Sequence, residues 1–116
     1  MMPATMPGSL SRAQRFDEES SRAAARLLAL NPQLDGVDVL VEDVPRMPAR
    51  AARISLGRVH RQTTRPQLVL HRKAIESRTE VREELVGLLR DVLAELAGDY
   101  LGTAAEDVDP EYPRTG

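Results

Sequence analysis

The sequence predicts one α+β domain of two layers, in which a small sheet of three or slightly more strands packs against two main helices. Two segments with helical spacing of apolar residues flank a central region of short alternating segments, and this order favours a two-layer domain. The length of 116 residues suits one domain and is too short for two ordinary ones. We place the domain at residues 11–112, after a disordered leader at 1–10 and before a disordered tail at 113–116.

The first helix is predicted to begin after Ser11, because Ser11 and Gln14 have the spacing of a capping box. Apolar and small residues then recur every three or four positions from Ala13 to Leu28. The helix is expected to end at Asn31, because the proline that follows disfavours helical backbone at the residue before it.

Three short strands are predicted at residues 37–42, 53–60 and 67–71, where apolar and polar residues alternate. Gly57 interrupts the second strand and is expected to mark a bulge or a bend.

The last helix has the strongest pattern in the chain. Ser77 and Glu80 are predicted to form its capping box, and Gly102 is predicted to end it. One further turn is expected within residues 106–111. The apolar stripe that should face the sheet consists of Val81, Leu85, Leu88, Leu89, Val92, Leu96 and Tyr100.

Composition excludes several classes of site. The chain contains no cysteine, so it has no disulfide, no thiol nucleophile and no cysteine-based zinc site. Residues 1–10 lack the pattern of a signal peptide, and no apolar stretch approaches the roughly 20 residues of a membrane helix, so a cytoplasmic protein is expected. Fifteen of the sixteen basic residues are arginine, which, with the many alanines, suggests a GC-rich genome such as that of an actinobacterium.

The charges are unevenly distributed. The chain from Glu95 onward holds six acidic residues and one basic residue. A basic middle region can attract a polyanion, but nucleic-acid modules usually add aromatic residues or a recognisable motif, which are missing here. We therefore favour pairing of these charges within the chain. The basic residues between 44 and 75, where no acidic residue occurs, are Arg46, Arg50, Arg53, Arg58, Arg61, Arg65, Arg72 and Lys73.

Two stretches carry a resemblance to a known family. The Val-Glu-Asp-Val-Pro run at 41–45 ends a predicted strand, and the stretch PQLVLHRKAIESRTEVREEL at 66–85 leads into the last helix. With the order of the elements, they make residues 15–112 similar to the minimal zincins, small bacterial metallopeptidase-like domains with an H-E-x-x-H helix. The resemblance implies a zincin-like fold.

The motif of that family is degenerate here. Ala94 and Gly98 stand where the resemblance places the two histidines, and Glu95 stands at the position of the general base. The family's third ligand would fall near Ala104, and Tyr112 lies near its closing tyrosine. Catalytic zinc needs about three protein ligands, and alanine and glycine have no donor atom. We therefore expect no zinc. Without the metal, a water molecule keeps a pKa near 15.7, so the resemblance implies a pseudoenzyme.

The resemblance and the helical pattern together predict a ligand or partner face made of Gly87, Ala94, Glu95, Gly98 and Tyr112. The three small residues lie opposite the apolar stripe. Because each helical glycine costs about 1 kcal/mol relative to alanine, we expect either a former cleft there or a close approach of another segment, from this chain or a second copy. For Glu95 alone, an ordinary surface carboxylate is the favoured interpretation.

His60 and His71 are the only histidines, and they are the one alternative source of a metal site. We favour solvated positions at strand ends for both. No G-x-S-x-G elbow or Ser/His/Asp set is present for nucleophilic catalysis.

Three functions stay open from the sequence. The first is a non-catalytic zincin-like domain that binds a protein or peptide, with a homodimer as one form. The second is a zinc peptidase with a metal site rebuilt from His60, His71 and nearby carboxylates. The third is a polyanion binder that uses Arg53, Arg58, Arg61, Arg65, Arg72 and Lys73.

Overall fold

The computed structural model describes residues 11–43 and 55–115. The leader predicted at 1–10 lies outside these ranges, as do the end of the Val-Glu-Asp-Val-Pro run and Arg46, Arg50 and Arg53 of the basic region.

The described residues form an α+β fold, which confirms the predicted class. No helix among them is long and apolar enough to cross a membrane. The helices are α1 (Arg12–Leu30), α2 (Arg72–Glu76), α3 (Arg82–Leu101) and α4 (Ala105–Val108), and the strands are β1 (Asp38–Glu42), β2 (Gly57–His60) and β3 (Gln67–His71).

The sheet has the order β1-β3-β2, so the last strand in sequence lies in the centre. β3 runs parallel to β1 and antiparallel to β2. Its residues Leu68, Val69 and Leu70 are all buried, as expected for a central strand that is covered on both faces. β1 and β2 form the two edges.

Helices α1 and α3 cover the same face of the sheet, as the sequence predicts. Phe16 and Leu27 of α1 join Leu70 of β3 and Leu89 and Leu93 of α3 in one buried cluster. Burial of each such side chain contributes about 1.5–3 kcal/mol, which makes this cluster the main source of stability.

The start of α3 differs from the prediction. The predicted box of Ser77 and Glu80 is wrong, because the short helix α2 comes first and the Ser77 hydroxyl donates to Ala74 O at its end. α3 begins after Val81, and Glu84 accepts hydrogen bonds from the backbone N–H groups of Glu80 and Val81. Val81 was expected in the apolar stripe, but it is 54% exposed because it precedes the helix.

Candidate functional site

The small residues of α3 face away from the sheet and are covered by the chain itself. After α3 ends at Gly102, with a left-handed φ of 76°, residues 103–115 fold back along the helix. We call residues 103–115 the C-terminal segment. A Cβ atom added to Gly98 would lie 2.8 Å from Thr103 O, so only glycine allows this close approach. Ala94 is fully buried and belongs to the main hydrophobic cluster.

Three polar side chains hold the C-terminal segment in place. Asp109 is 2% exposed and accepts two hydrogen bonds from the Arg26 guanidinium, at 2.5 and 3.0 Å. This pairing lowers the pKa of Asp109 and raises that of Arg26. The Asn31 amide donates to Val108 O at 2.9 Å. These contacts connect the segment to α1.

The third anchor is Asp91, which lies in the middle of α3. One of its oxygens accepts from Arg114 N and the other from Thr115 N, both at 2.8 Å, and the Thr115 hydroxyl donates to it as well. Residues 113–115 were expected to begin a disordered tail, but these bonds extend the ordered chain to Thr115. The sequence signal for this contact was the position of Asp91 between the apolar residues Leu89 and Val92, and the contact was not predicted.

Glu95 and Tyr112 of the predicted partner face meet in the structure. The Tyr112 hydroxyl donates a hydrogen bond to Glu95 Oε2. This hydrogen bond, together with burial, raises the pKa of Tyr112 to about 12, because ionisation would place two negative charges side by side. Glu95 itself is exposed. The other members, Ala94 and Gly98, are buried and have no donor atom for zinc, so the motif positions do not fit a metal ion.

A cleft of about 390 Å³ opens beside Glu95. Its walls are Ser55 to Gly57, at the beginning of edge strand β2, and Val92, Glu95 and Leu96 of α3, and Arg78 also lines it. Gly57 permits this close approach of strand and helix, because an added Cβ would lie 2.7 Å from Val69 O and 2.9 Å from Leu96 Cδ1. The sequence predicted a bulge or a bend at Gly57, whereas the structure shows close packing of strand and helix there.

The backbone of β2 presents hydrogen-bonding groups along the same edge. His71 N donates to Leu56 O, and the register pairs Arg58 with Val69, so Arg58 points its backbone groups toward β3. By the alternation of an antiparallel pair, Val59 points its N–H and C=O outward. No hydrogen bond among residues 11–43 and 55–115 uses them.

The two histidines do not form a joint site. His60 lies opposite Gln67 and His71 is four residues farther along β3, a separation of about 13 Å. The expected solvated position is wrong for His71, which is 2% exposed. Its Nδ1 lies 2.9 Å from Ser55 O and its Nε2 lies 3.2 Å from the Arg58 guanidinium, so both nitrogens are in use. Within the described ranges, no group of three or more His, Asp or Glu side chains could hold a metal ion.

Three described arginines of the basic region pair with carboxylates, in line with the pairing that we favoured from the sequence. Arg65 binds Asp38 at 3.0 Å and Arg72 binds Asp43 at 2.8 Å. Arg58 binds Glu42 at 2.8 Å across the central strand. Their acidic partners lie mostly on β1 or just after it, which the sequence could not place next to the basic residues. The remaining described members are Arg61, which donates to Asp99 O and lies over the Tyr100 ring, and the exposed Lys73.

Comparison with known proteins does not assign a family. No protein-family model matches the sequence, and no curated protein matches it either. The function is therefore argued from the site alone.

Proposed function

We propose that this chain is a non-catalytic, zincin-like binding domain that takes an extended peptide or protein segment into the cleft beside Glu95. The observation that carries the proposal is the position of this cleft between a sheet edge and α3. The cleft brings Val92 and Leu96 of α3 next to the start of β2. Two residues farther along β2, Val59 presents its backbone groups outward on the same edge. An added peptide strand can bond to such an edge while the pocket beside it selects its side chains.

The residues of the predicted partner face do not all take part in the proposed binding. Gly98 packs against Thr103 of the C-terminal segment and Ala94 is fully buried, so neither is available to contact a partner. Glu95 gives the cleft a carboxylate, which accepts a hydrogen bond from the Tyr112 hydroxyl. A peptide with a basic or hydrogen-bond-donating side chain fits this end of the cleft.

The proposal is tested with peptides selected from a random phage-displayed library on the folded protein. Val59→Pro removes the outward N–H of β2 and should weaken binding by about tenfold, the effect of one hydrogen bond. Val39→Pro is the matched control, because Val39 lies on the other edge strand and the β1 register points its backbone outward in the same way. Circular dichroism checks that both variants fold. Equal losses in both variants, or no selected peptide, would contradict the proposal.

The peptidase alternative is tested by metal content. Protein purified with zinc supplied and then dialysed should retain far less than one zinc ion per chain, because the motif positions hold alanine and glycine. A value near one would return the zinc-peptidase hypothesis to first place.

A further inference from the structure

A second cavity, of about 800 Å³, opens along the N-terminal half of α3. We call it the Arg90 groove. Its apolar floor consists of Val86, Gly87 and Leu88. Four arginines line it, namely Arg78, Arg82, Arg90 and Arg114. Gly87 has no side chain to fill the floor of the groove. A Cβ added there would lie 3.4 Å from the Thr115 methyl group.

Arg90 is unusual among these arginines. Its Nε is buried and has no hydrogen-bond partner among the described residues. Burial lowers the pKa of Arg90, and the nearby cations Arg26 and Arg114 lower it further. A buried donor that lacks an acceptor costs about 1–3 kcal/mol, more when the group is charged, and a bound anion would relieve this cost.

The carboxylates closest in sequence and space to Arg90 are already occupied. Asp91 accepts hydrogen bonds from the backbone and hydroxyl of Thr115 and from Arg114 N. Asp109 accepts from Arg26 and from Glu111 N. Neither forms a hydrogen bond or an ion pair with Arg90.

The charge balance of the lining favours an anion. Arg78, like Arg90, has no ion pair within the described ranges, whereas Arg82 binds Glu19 and Arg114 binds Glu111. Two acidic residues also line the groove. Glu84 is engaged by the backbone N–H groups at the start of α3, which leaves Glu83 as the opposing charge.

We infer that the Arg90 groove binds a phosphate group, either free or as the monoester of a small molecule. The guanidiniums of Arg78 and Arg90 have no ion pair among the described residues, and together they match the charge of about −1.5 to −2 that a phosphate monoester carries near pH 7. Their planar N–H donors suit its oxygens. The floor of Val86 and Leu88 would contact the organic part of a monoester.

The test is calorimetric titration of the full chain at low salt with inorganic phosphate and with phenyl phosphate. Arg90→Met and Arg78→Gln should each weaken binding by about tenfold or more, the effect of a charge-assisted hydrogen bond. Glu83→Gln should strengthen binding, because it removes the opposing charge. Arg61→Gln is the control for net charge, since Arg61 binds Asp99 O, about 18 Å along α3 from Gly87.

Tighter binding of phenyl phosphate than of phosphate would support the proposal and identify a monoester as the ligand. Equal affinities with the same arginine dependence would support it with free phosphate. If Arg90→Met fails to fold, the exposed Arg78→Gln decides the result. Absence of binding, or equal weakening by Arg61→Gln, would overturn the proposal, because the interaction would then be general charge attraction.

Discussion

Two glycine-to-alanine substitutions in α3 should change stability in opposite directions. Alanine is favoured over glycine in a helix by about 1 kcal/mol. At Gly87 the new methyl would meet Thr115 Cγ2 at 3.4 Å, an ordinary contact, so Gly87→Ala should stabilise by about 0.5–1 kcal/mol. At Gly98 it would lie 2.8 Å from Thr103 O, and relief of such overlap costs about 1–3 kcal/mol. Gly98→Ala should therefore destabilise by about 1 kcal/mol net.

Urea unfolding followed by circular dichroism measures both changes, and each serves as the control for the other. A difference of 1 kcal/mol corresponds to about 4–8 °C in Tm for a domain of 60–100 residues. If both variants were stabilised alike, the C-terminal segment would not lie against Gly98. The explanation for the buried motif positions would then fail. Destabilisation by Gly87→Ala would equally show that the contact with Thr115 cannot accommodate the added methyl.

Two further predictions concern the polar contacts of the C-terminal segment. Asp109→Asn should lower the free energy of unfolding at pH 7 by about 2–3 kcal/mol, because Arg26 loses its charged partner. The lowered pKa of Asp109 means that this stabilisation is present above the unfolded-state pKa and is lost as pH falls through the folded value, so the acid-dependent slope should shrink in the variant; an unchanged slope would argue against the pair. In Tyr100→Phe, ultraviolet titration should show Tyr112 ionising near pH 12, and adding Glu95→Gln should lower that midpoint. A midpoint that Glu95→Gln leaves unchanged would exclude the hydrogen bond as its cause.

The local elements were well determined by the sequence. The capping box of Ser11 and Gln14, the end of α1 at Asn31, and the end of α3 at Gly102 all occur as predicted. Each depends on the chemistry of one or two residues and their immediate neighbours, which is why a single sequence predicts them. The predicted start of α3 was wrong because Ser77 ends α2 instead of capping α3, which begins after Val81.

The positions of the site residues were only partly predictable. The sequence indicated that Gly87, Ala94 and Gly98 share one face of α3, because helical periodicity fixes their direction. It left open whether a cleft, a second copy or the chain itself covers that face. The answer depends on residues distant in sequence, since Asp109 reaches Arg26 and Asp91 reaches Thr115.

The sequence by itself determined the fold class, the absence of metal-donor atoms at Ala94 and Gly98, and the uneven distribution of charge. These follow from composition and periodicity, which act over a few residues. Only the tertiary structure decided the strand order β1-β3-β2, the burial of His71 and the unpaired state of Arg90. Those features arise where segments far apart in the chain meet, because burial and pairing depend on which residues lie close together in the fold.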